Sequence, residues 1–352
     1  MIGKIVLFVF CGLLFSLSAQ DTIKVRPVKV LPVPSFGFSP ETNAYVGAVA
    51  LFTIDAYQDT ITRSSNAKLE FLYTWNRQLI LDSEWSYFFR EEKWFTQGNV
   101  HFSKYPDRYY GIGSDTRNED KVIFFSNRAR IDLHLLYKIR APLFIGFGIL
   151  FNDYSEVEYD ESTVHYEELN SARNYGVKFM VRNDARNNIL SASRGSYFEI
   201  LNKLNRANSV YNTVSLDARK YVEKGERKQH VLAGRFFHNS VFGTPGFYDY
   251  SLLGGDRLAR GYLYGRFRDK HLTTLQLEYR ALILCRIGIA AFGGISGVYQ
   301  DFTNWNAQNI KPNLGGGIRF LVDKRENTYL RFDYAIGVSK QSGFYVSFGE
   351  SF

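Results

Sequence analysis

The feature that most limits what this chain can become is a period of two. Across 68–75 (KLEFLYTW), Leu69, Phe71, Tyr73 and Trp75 fall on one face, and Lys68, Glu70 and Thr74 on the other. The stretch 128–137 (RARIDLHLLY) sets Ala129, Ile131, Leu133, Leu135 and Tyr137 against Arg128, Arg130, Asp132 and His134. The stretch 329–339 sets Leu330, Phe332, Tyr334, Ile336 and Val338 against Arg331, Asp333 and Ser339. Such alternation belongs to strands. Beyond the N-terminus no window approaches the ~18 consecutive apolar residues that a membrane helix needs. Any passage through a bilayer must therefore be made by strands.

Alternation alone does not say whether the apolar face meets a protein core or lipid. Three further features favour lipid. Residues 1–19 read as a signal peptide, with Lys4, an apolar run from Ile5 to Phe15, and Ser16, Ser18 and Ala19 before cleavage. The segments have the length of tilted membrane strands, about 9 to 11 residues. Aromatic residues stand at segment ends (Trp75, Trp94, Tyr137, Tyr221, Tyr299, Phe352), where interfacial belts form. Aromatics make up 16% of the chain, so such belts can be supplied. The net charge of +8 is spread along the alternating segments rather than gathered in a patch, so the chain is not read as a nucleic-acid binder. Cys11, preceded by Phe10, makes a poor lipid-attachment site and leaves with the leader. Cys285 then stands alone, without a disulfide partner.

Fifteen segments are clear: 43–54, 65–75, 78–90, 93–104, 121–138, 141–154, 171–183, 196–206, 209–222, 229–240, 272–283, 286–299, 313–323, 328–339 and 342–352. A closed single-chain bacterial barrel needs an even number, with short turns inside and long loops outside. The longest connection, 241–271, should be extracellular, so an odd number of strands must precede it, and only ten clear ones do. A short first strand at 33–38, followed by the turn Ser39-Pro40-Glu41-Thr42, supplies the missing one. The expected fold is an all-β, 16-stranded antiparallel transmembrane barrel, with an extracellular loop folded inward between strands 11 and 12. The organisation reads as leader 1–19, a short periplasmic segment 20–32 and barrel 33–352. Tight turns near 55–65, 91–92, 138–142 and 223–228 become periplasmic, and 105–120 and 155–170 extracellular. The very short turn Asn76-Arg77 also comes out extracellular. Pro32 and Pro34 remove ladder donors, which predicts a weak seam between first and last strands.

The stretch 252–269 (LLGGDRLARGYLYGRFRD) has loop chemistry at Gly254, Gly255, Asp256, Gly261 and Gly265, yet carries Arg257, Arg260, Arg266 and Arg268 among aromatic and aliphatic residues. Planar guanidiniums in that number look for carboxylates at fixed geometry. The bland alternative is a solvated glycine-rich loop whose arginines touch lipopolysaccharide or water.

This loop resembles that of the BamA/TamA surface-antigen barrels, whose core is a small or aliphatic residue followed by Arg-Gly-aromatic, here Ala259-Arg260-Gly261-Tyr262. Asp184, Arg186, Asn187 and Gly195 in VRNDARNNILSASRGSYFEI resemble the family's Asp-x-Arg-Asn turn; a plain Asx-type turn is the other reading. PSFGFSPETNAYVGA resembles its first hairpin, and GFYVSFGESF, with Phe348 and Phe352, its closing strand. The resemblance implies a barrel that inserts or translocates proteins, or in some members lipids, at the bacterial outer membrane. It also implies a seam that opens sideways and a loop arginine paired with acidic groups on late strands. Arg260 takes that role, with Glu278 or Asp333 as partner, and Gly254, Gly255, Gly261, Tyr262, Gly265, Arg266, Arg268 and Asp269 complete the motif. The strand 290–298 (AAFGGISGV) lacks the Asp that the family usually places after the loop's return strand. The resemblance is to a branch of the family expected to lack POTRA domains. Implied partners are outer-membrane lipid, periplasmic or outer-membrane partner proteins and unfolded β-barrel clients. The alternatives are a passive or selective channel, or a lipid-handling or structural member of a larger complex. Arg128, Arg130, Asp132, Arg280, Arg319 and Arg331 are expected to line the lumen as solvated ion pairs, or to form an anion path.

No catalytic, metal or cofactor site is expected. Gly294-Ile295-Ser296-Gly297-Val298 does not fit G-x-S-x-G and has no histidine near it. The six histidines show no metal spacing, and the glycine-rich runs lack a following Lys-Ser/Thr.

Overall fold

The computed structural model describes residues 28–39, 43–57, 61–75, 77–160, 165–225, 230–304, 309–324 and 327–352. The expected leader 1–19, the segment 20–27, the turn residues Pro40, Glu41 and Thr42, and Asn76 lie outside them.

Each alternating segment is a strand. In chain order these are β1 (Lys29–Ser39), β2 (Asn43–Ile54), β3 (Ser65–Thr74), β4 (Leu79–Phe88), β5 (Trp94–Tyr109), β6 (Val122–Arg140), β7 (Leu143–Tyr159), β8 (Ala172–Asp184), β9 (Gly195–Arg206), β10 (Val210–Lys224) and β11 (His230–Phe242). Two short strands follow in the long connection, β12 (Ser251–Leu253) and β13 (Phe267–Asp269), with one helical turn, α1 (Gly255–Leu258), between them. The last five are β14 (His271–Leu282), β15 (Ile287–Tyr299), β16 (Lys311–Asp323), β17 (Thr328–Gly337) and β18 (Ser342–Phe348). All but β12 and β13 form one 16-stranded sheet in chain order, every neighbouring pair antiparallel, and β1 is the additional first strand that an even count requires. That strand is longer than expected and starts at Lys29, inside the segment assigned to the periplasm.

Which face the apolar residues take is now decided. Phe147 is 66% exposed, Leu314 64% and Val46 62%, whereas Arg319 and Arg331 are 2% exposed and Glu278 1%. A water-soluble sandwich buries the first set and exposes the second. Here the pattern is inverted, as a sheet facing lipid outside and a polar lumen inside requires. No helix among the described residues is long and apolar enough to cross a membrane. Trp75 and Trp94 are exposed at strand ends as a belt predicts, but Tyr221 and Phe352 are buried, and both face the lumen.

β1 and β18 are neighbours in space, yet no ladder joins them among the described residues. Pro32 and Pro34, paired with Ala50 and Ala48 of β2, carry no N–H to offer. The closing strand is also shorter than expected, because β18 stops at Phe348. Gly349, at φ 75°, turns the chain, and 350–352 fold back into the lumen. There Phe352 packs with Ala192, Tyr221 and Ala233.

β5 and β7 outrun the expected segments, and β6 is about as long as the expected 121–138. At about 3.3 Å per residue and a tilt of about 40°, the 19 residues of β6 rise roughly 48 Å, against an apolar band of about 25 Å. The excess stands beyond the bilayer and supports loops that cover that end of the barrel. Tyr109, Val122, Phe124, Leu169, Phe247 and Tyr248 make a buried aromatic cluster there.

Candidate functional site

The long connection between β11 and β14 folds into the lumen. β12 and β13 pair through Ser251 to Asp269, Leu252 to Arg268 and Leu253 to Phe267, which fixes the loop's base as a small hairpin. Its interior, Leu253, Ala259, Tyr262 and Phe267, packs on Leu272 of β14 and Val298 of β15. Two glycines allow the tip to seat. Gly261 has φ 103°, and a Cβ there would lie 2.8 Å from the Ile336 carbonyl carbon. Gly337 of β17 leaves room for Tyr262, since a Cβ would stand 2.5 Å from the ring. Tyr262 Oη donates to Pro312 O at 2.6 Å and accepts from Val338 N at 2.9 Å. Gly261 N donates to Tyr345 Oη at 3.0 Å. Asn313 Nδ2 donates to Arg260 O at 2.9 Å.

Arg260 does not choose between its two expected partners; it takes both. Its Nη1 donates to Asp333 Oδ2 at 2.6 Å, and its Nη2 donates to Glu278. The guanidinium lies 3.3 Å from the centroid of the Phe292 ring. Phe292 is on β15, the strand whose lack of an Asp stood out in the sequence, so an aromatic face occupies that wall and the acids come from β14 and β17.

The pair is part of a larger cluster. Arg319 Nη1 donates to Asp333 Oδ1 at 2.5 Å, and its Nε to Glu350 Oε2 at 3.1 Å. Arg331 Nη1 reaches Asp333 Oδ2, and its Nη2 reaches Asp256 Oδ2, both at 2.8 Å. Arg280 Nε donates to Glu278 Oε1 at 2.7 Å. Four guanidiniums (Arg260, Arg280, Arg319, Arg331) thus face four carboxylates (Asp256, Glu278, Asp333, Glu350), and formal charge balances. Buried ions are tolerated only when paired and hydrogen-bonded. Arg280, Arg319 and Arg331 were expected to be solvated; they are inward and ion-paired, but buried.

Glu350 and Asp256 were not anticipated as members. Asp256 comes from α1, where Ser347 Oγ of β18 donates to its Oδ2 at 3.0 Å. Burial alone would raise its carboxyl, but Arg331, Arg257 and the Ser347 hydroxyl outweigh that and hold it below the ordinary value. Ser351 Oγ donates to Asp256 O at 2.8 Å. The returning 350–352 segment therefore holds the loop from below, a contact that strand alternation has no means of showing.

The remaining motif residues sit elsewhere. Arg266 donates to Thr116 Oγ1 and Thr116 O, each at 2.8 Å, and stacks 4.2 Å from the Tyr110 ring centroid. Arg268 donates to Phe247 O at 2.9 Å and lies 4.7 Å from the Tyr109 ring centroid. Gly113 N donates to Arg268 O. The Arg266 side chain therefore fastens the loop to the 110–118 connection, and that of Arg268 braces the long connection itself at Phe247, neither reaching the acids. Asp269 accepts from Lys270 N at 2.8 Å. Gly254, Gly255 and Gly265 have φ of 120°, 84° and 75°. At the β8–β9 turn, Arg186 grips Asp184 with two bonds of 2.8 and 2.9 Å. Asn187 Oδ1 accepts from Ser193 N and Arg194 N, both at 3.1 Å. A Cβ on Gly195 would stand 2.1 Å from Ala185 O. This motif closes a turn at the end of the barrel away from the loop.

Below the loop lies a cavity of about 1000 Å³. Leu31, Val33, Val49 and Leu51 line the side near the seam, and Arg182, Arg219 and Arg235 line the far wall.

No family model and no curated protein matches the chain. Among solved structures, the chain is similar to BamA from Haemophilus ducreyi lacking POTRA domains 1–3. The TM-score is 0.56 at 12% identity, over 92% of this chain and 70% of that one. It is also similar to CdiB from Acinetobacter baumannii, with a TM-score of 0.62 at 13% identity, over 93% of this chain and 60% of that one. At these identities the likeness is one of fold: a barrel of the kind found in outer-membrane proteins.

Proposed function

We propose that this chain is an outer-membrane barrel of the assembly or translocation type, handling cargo at the seam between β1 and β18 under the control of the docked loop. The observation that carries this reading is the open register: two neighbouring strands without a shared ladder, in a sheet where every other adjacent pair has one. An unpaired edge can accept a client strand by backbone hydrogen bonding. The loop is pinned to β14, β16, β17 and the residues after β18, beside that edge. Cargo handling of this sort needs no cofactor. Clients are unfolded β-barrel chains or lipid, delivered by partner proteins.

A cysteine pair, one in β1 and one in β18, tests this in a Cys285→Ser background, since Cys285 is exposed. Oxidised protein should fail to complement a deletion strain, and reduction should restore it. Complementation by locked protein rules the seam out.

The lumen cavity favours a second reading, a channel. Large, stable conductance in planar bilayers that deletion of 254–268 does not raise would support it. A near-silent wild type opened by that deletion supports the cargo barrel.

A further inference from the structure

Ionisable side chains on the lipid-facing wall of a barrel are expensive, and where they occur they point to function. Three histidines stand there, and two of them, His238 and His271, come together at one end of the wall, while His230 bonds Tyr279 Oη at the other end of β11. On β11, Leu232, Phe236 and Phe242 are exposed outward, so His238 and Ser240, with the same parity, share that face. On β14 the exposed residues are Leu275, Leu277 and Tyr279, which puts His271 and Thr273 outside. The ladder sets His238 opposite Thr273 and Ser240 opposite His271.

The side chains use this register. Ser240 Oγ lies 2.8 Å from His238 Nε2, and the other nitrogen of that ring, Nδ1, lies 2.9 Å from Thr273 Oγ1. Thr273 Oγ1 is in turn 3.0 Å from Tyr299 Oη. His271 Nδ1 lies 2.8 Å from the same Ser240 Oγ. A hydroxyl bonded to an imidazole whose second nitrogen is held by a third group is the arrangement that activates a serine nucleophile. The outward residues below it, Phe236, Leu275 and Ile295, are exposed and apolar, a surface along which acyl chains can lie. Ser240 is at the end of β11 nearest the loop, where the bilayer's polar boundary meets the wall.

We propose that Ser240, His238 and Thr273 form an acyl-hydrolase site for the carboxylic esters of membrane lipids. Ser240 Oγ attacks the ester carbonyl carbon while its proton passes to His238 Nε2. His271, through Nδ1, is the donor available to the oxyanion. Collapse breaks the acyl carbon–alkoxy oxygen bond, and His238 returns the proton to the departing alcohol. Water then adds to the acyl-serine with His238 as base, and a fatty acid leaves. Overall, ester and water become carboxylic acid and alcohol, without redox change. Thr273 accepts from His238 Nδ1–H and fixes the tautomer, a positioning residue. This site does not depend on the cargo reading, because it lies on the outer wall at β11, β14 and β15, away from the seam. Ser240 is not flanked by glycines as in G-x-S-x-G, and His-x-Ser on one strand facing His-x-Thr on the next becomes meaningful only once the register is known.

Ser240 is 3% exposed, and Phe302, 61% exposed, stacks on His271 with centroids 4.4 Å apart. Phe302 therefore forms part of the cover over the nucleophile. The full chain, in mixed micelles with phosphatidylglycerol, is treated with a fluorophosphonate probe and assayed for released fatty acid, beside the Phe302→Ala variant. The wild type, or Phe302→Ala if the cover is tight, should be labelled at Ser240 and release fatty acid. Ser240→Ala should abolish both, and His238→Asn should lower the rate about 10²–10⁴-fold. Thr273→Val should lower kcat and shift the acid limb of the pH profile while heat-modifiable migration stays unchanged. The proposal is overturned if neither protein is labelled or active, or if hydrolysis survives in Ser240→Ala.

Discussion

Replacing Arg260 with methionine removes one charge from a cluster in which four guanidiniums balance four carboxylates. Arg260 is 1% exposed at its side chain, and its two partners, Glu278 and Asp333, are 0% exposed. Water cannot compensate the acids left behind. Breaking a buried pair from one side costs about 3–5 kcal/mol, so the ratio of docked to undocked loop should fall by roughly two to four decades. The exposed pair between Arg257 and Glu84, 3.1 Å apart with side chains 64% and 37% exposed, is the control. Such pairs are worth about 0–1 kcal/mol, and Arg257→Ala should leave the loop seated. The decisive variant is the double one. Arg260→Met with Glu278→Gln leaves three guanidiniums facing three carboxylates and should recover much of what either single change loses, a coupling that a double-mutant cycle reads directly. Planar-bilayer conductance reports the loop's position, with limited proteolysis of 254–268 as an independent readout. If Arg260→Met stays silent and protected, or if the double variant is as open as the two single losses added together, charge balance is not what holds the loop.

Two further outcomes follow from the same site. Tyr262→Phe leaves Pro312 O and Val338 N without the hydroxyl that joins them, so docking should weaken by about 1–3 kcal/mol, seen as brief channel openings without loss of folded, heat-modifiable protein. Acidification should act through Asp256, whose carboxyl is held below its ordinary value. A depressed carboxyl lends its stabilisation above the undocked value, about 4, and loses it as pH falls through the lower docked value. Conductance should therefore stay low from pH 7 to about 4 and rise below that. Asp256→Asn should leak already at pH 7 and respond less to acid.

The barrel was legible because a lipid-facing strand must alternate, and β2, β8 and β15 fall within a residue of the segments read from sequence. Legibility ended where that rule ends. β5 and β7 run on past the bilayer beyond their expected ends, where neither face is held to one polarity. At 350–352 the chain has left the sheet, so Phe352 looked like an interfacial aromatic although it is a lumen plug. Arg260, Glu278 and Asp333 were found because the acids sit at inward strand positions. Glu350 and Asp256 lie in a returning tail and a single helical turn, and no periodicity points at either. The outer His238–Ser240–Thr273 relay was invisible for a different reason: it exists across a ladder, between residues more than thirty positions apart.

The tail joins the two parts of the proposed mechanism. Ser347 is on β18, the seam strand, and donates to Asp256 of the loop. Ser351 bonds the Asp256 carbonyl, and Glu350 bonds Arg319 while Arg319 holds Asp333. Moving β18 away from β1 must therefore disturb the contacts that seat α1, and unseating α1 must loosen β18. Binding linkage makes this reciprocal: whatever the seam lock adds to loop docking, a docked loop adds to seam closure. Glu350→Gln with Tyr345→Phe, Ser347→Ala and Ser351→Ala removes these connections and the Tyr345 hydroxyl that bonds the loop tip, while leaving Arg260 with both of its acids. In the otherwise native protein, oxidising the seam cysteines should slow proteolysis of the loop, by about tenfold if the coupling is about 1.4 kcal/mol. In the quadruple variant the oxidised and reduced proteins should be cut at the same rate. An undiminished difference would mean that seam and loop communicate through β17 instead, where Ile336 and Gly337 touch the loop tip directly.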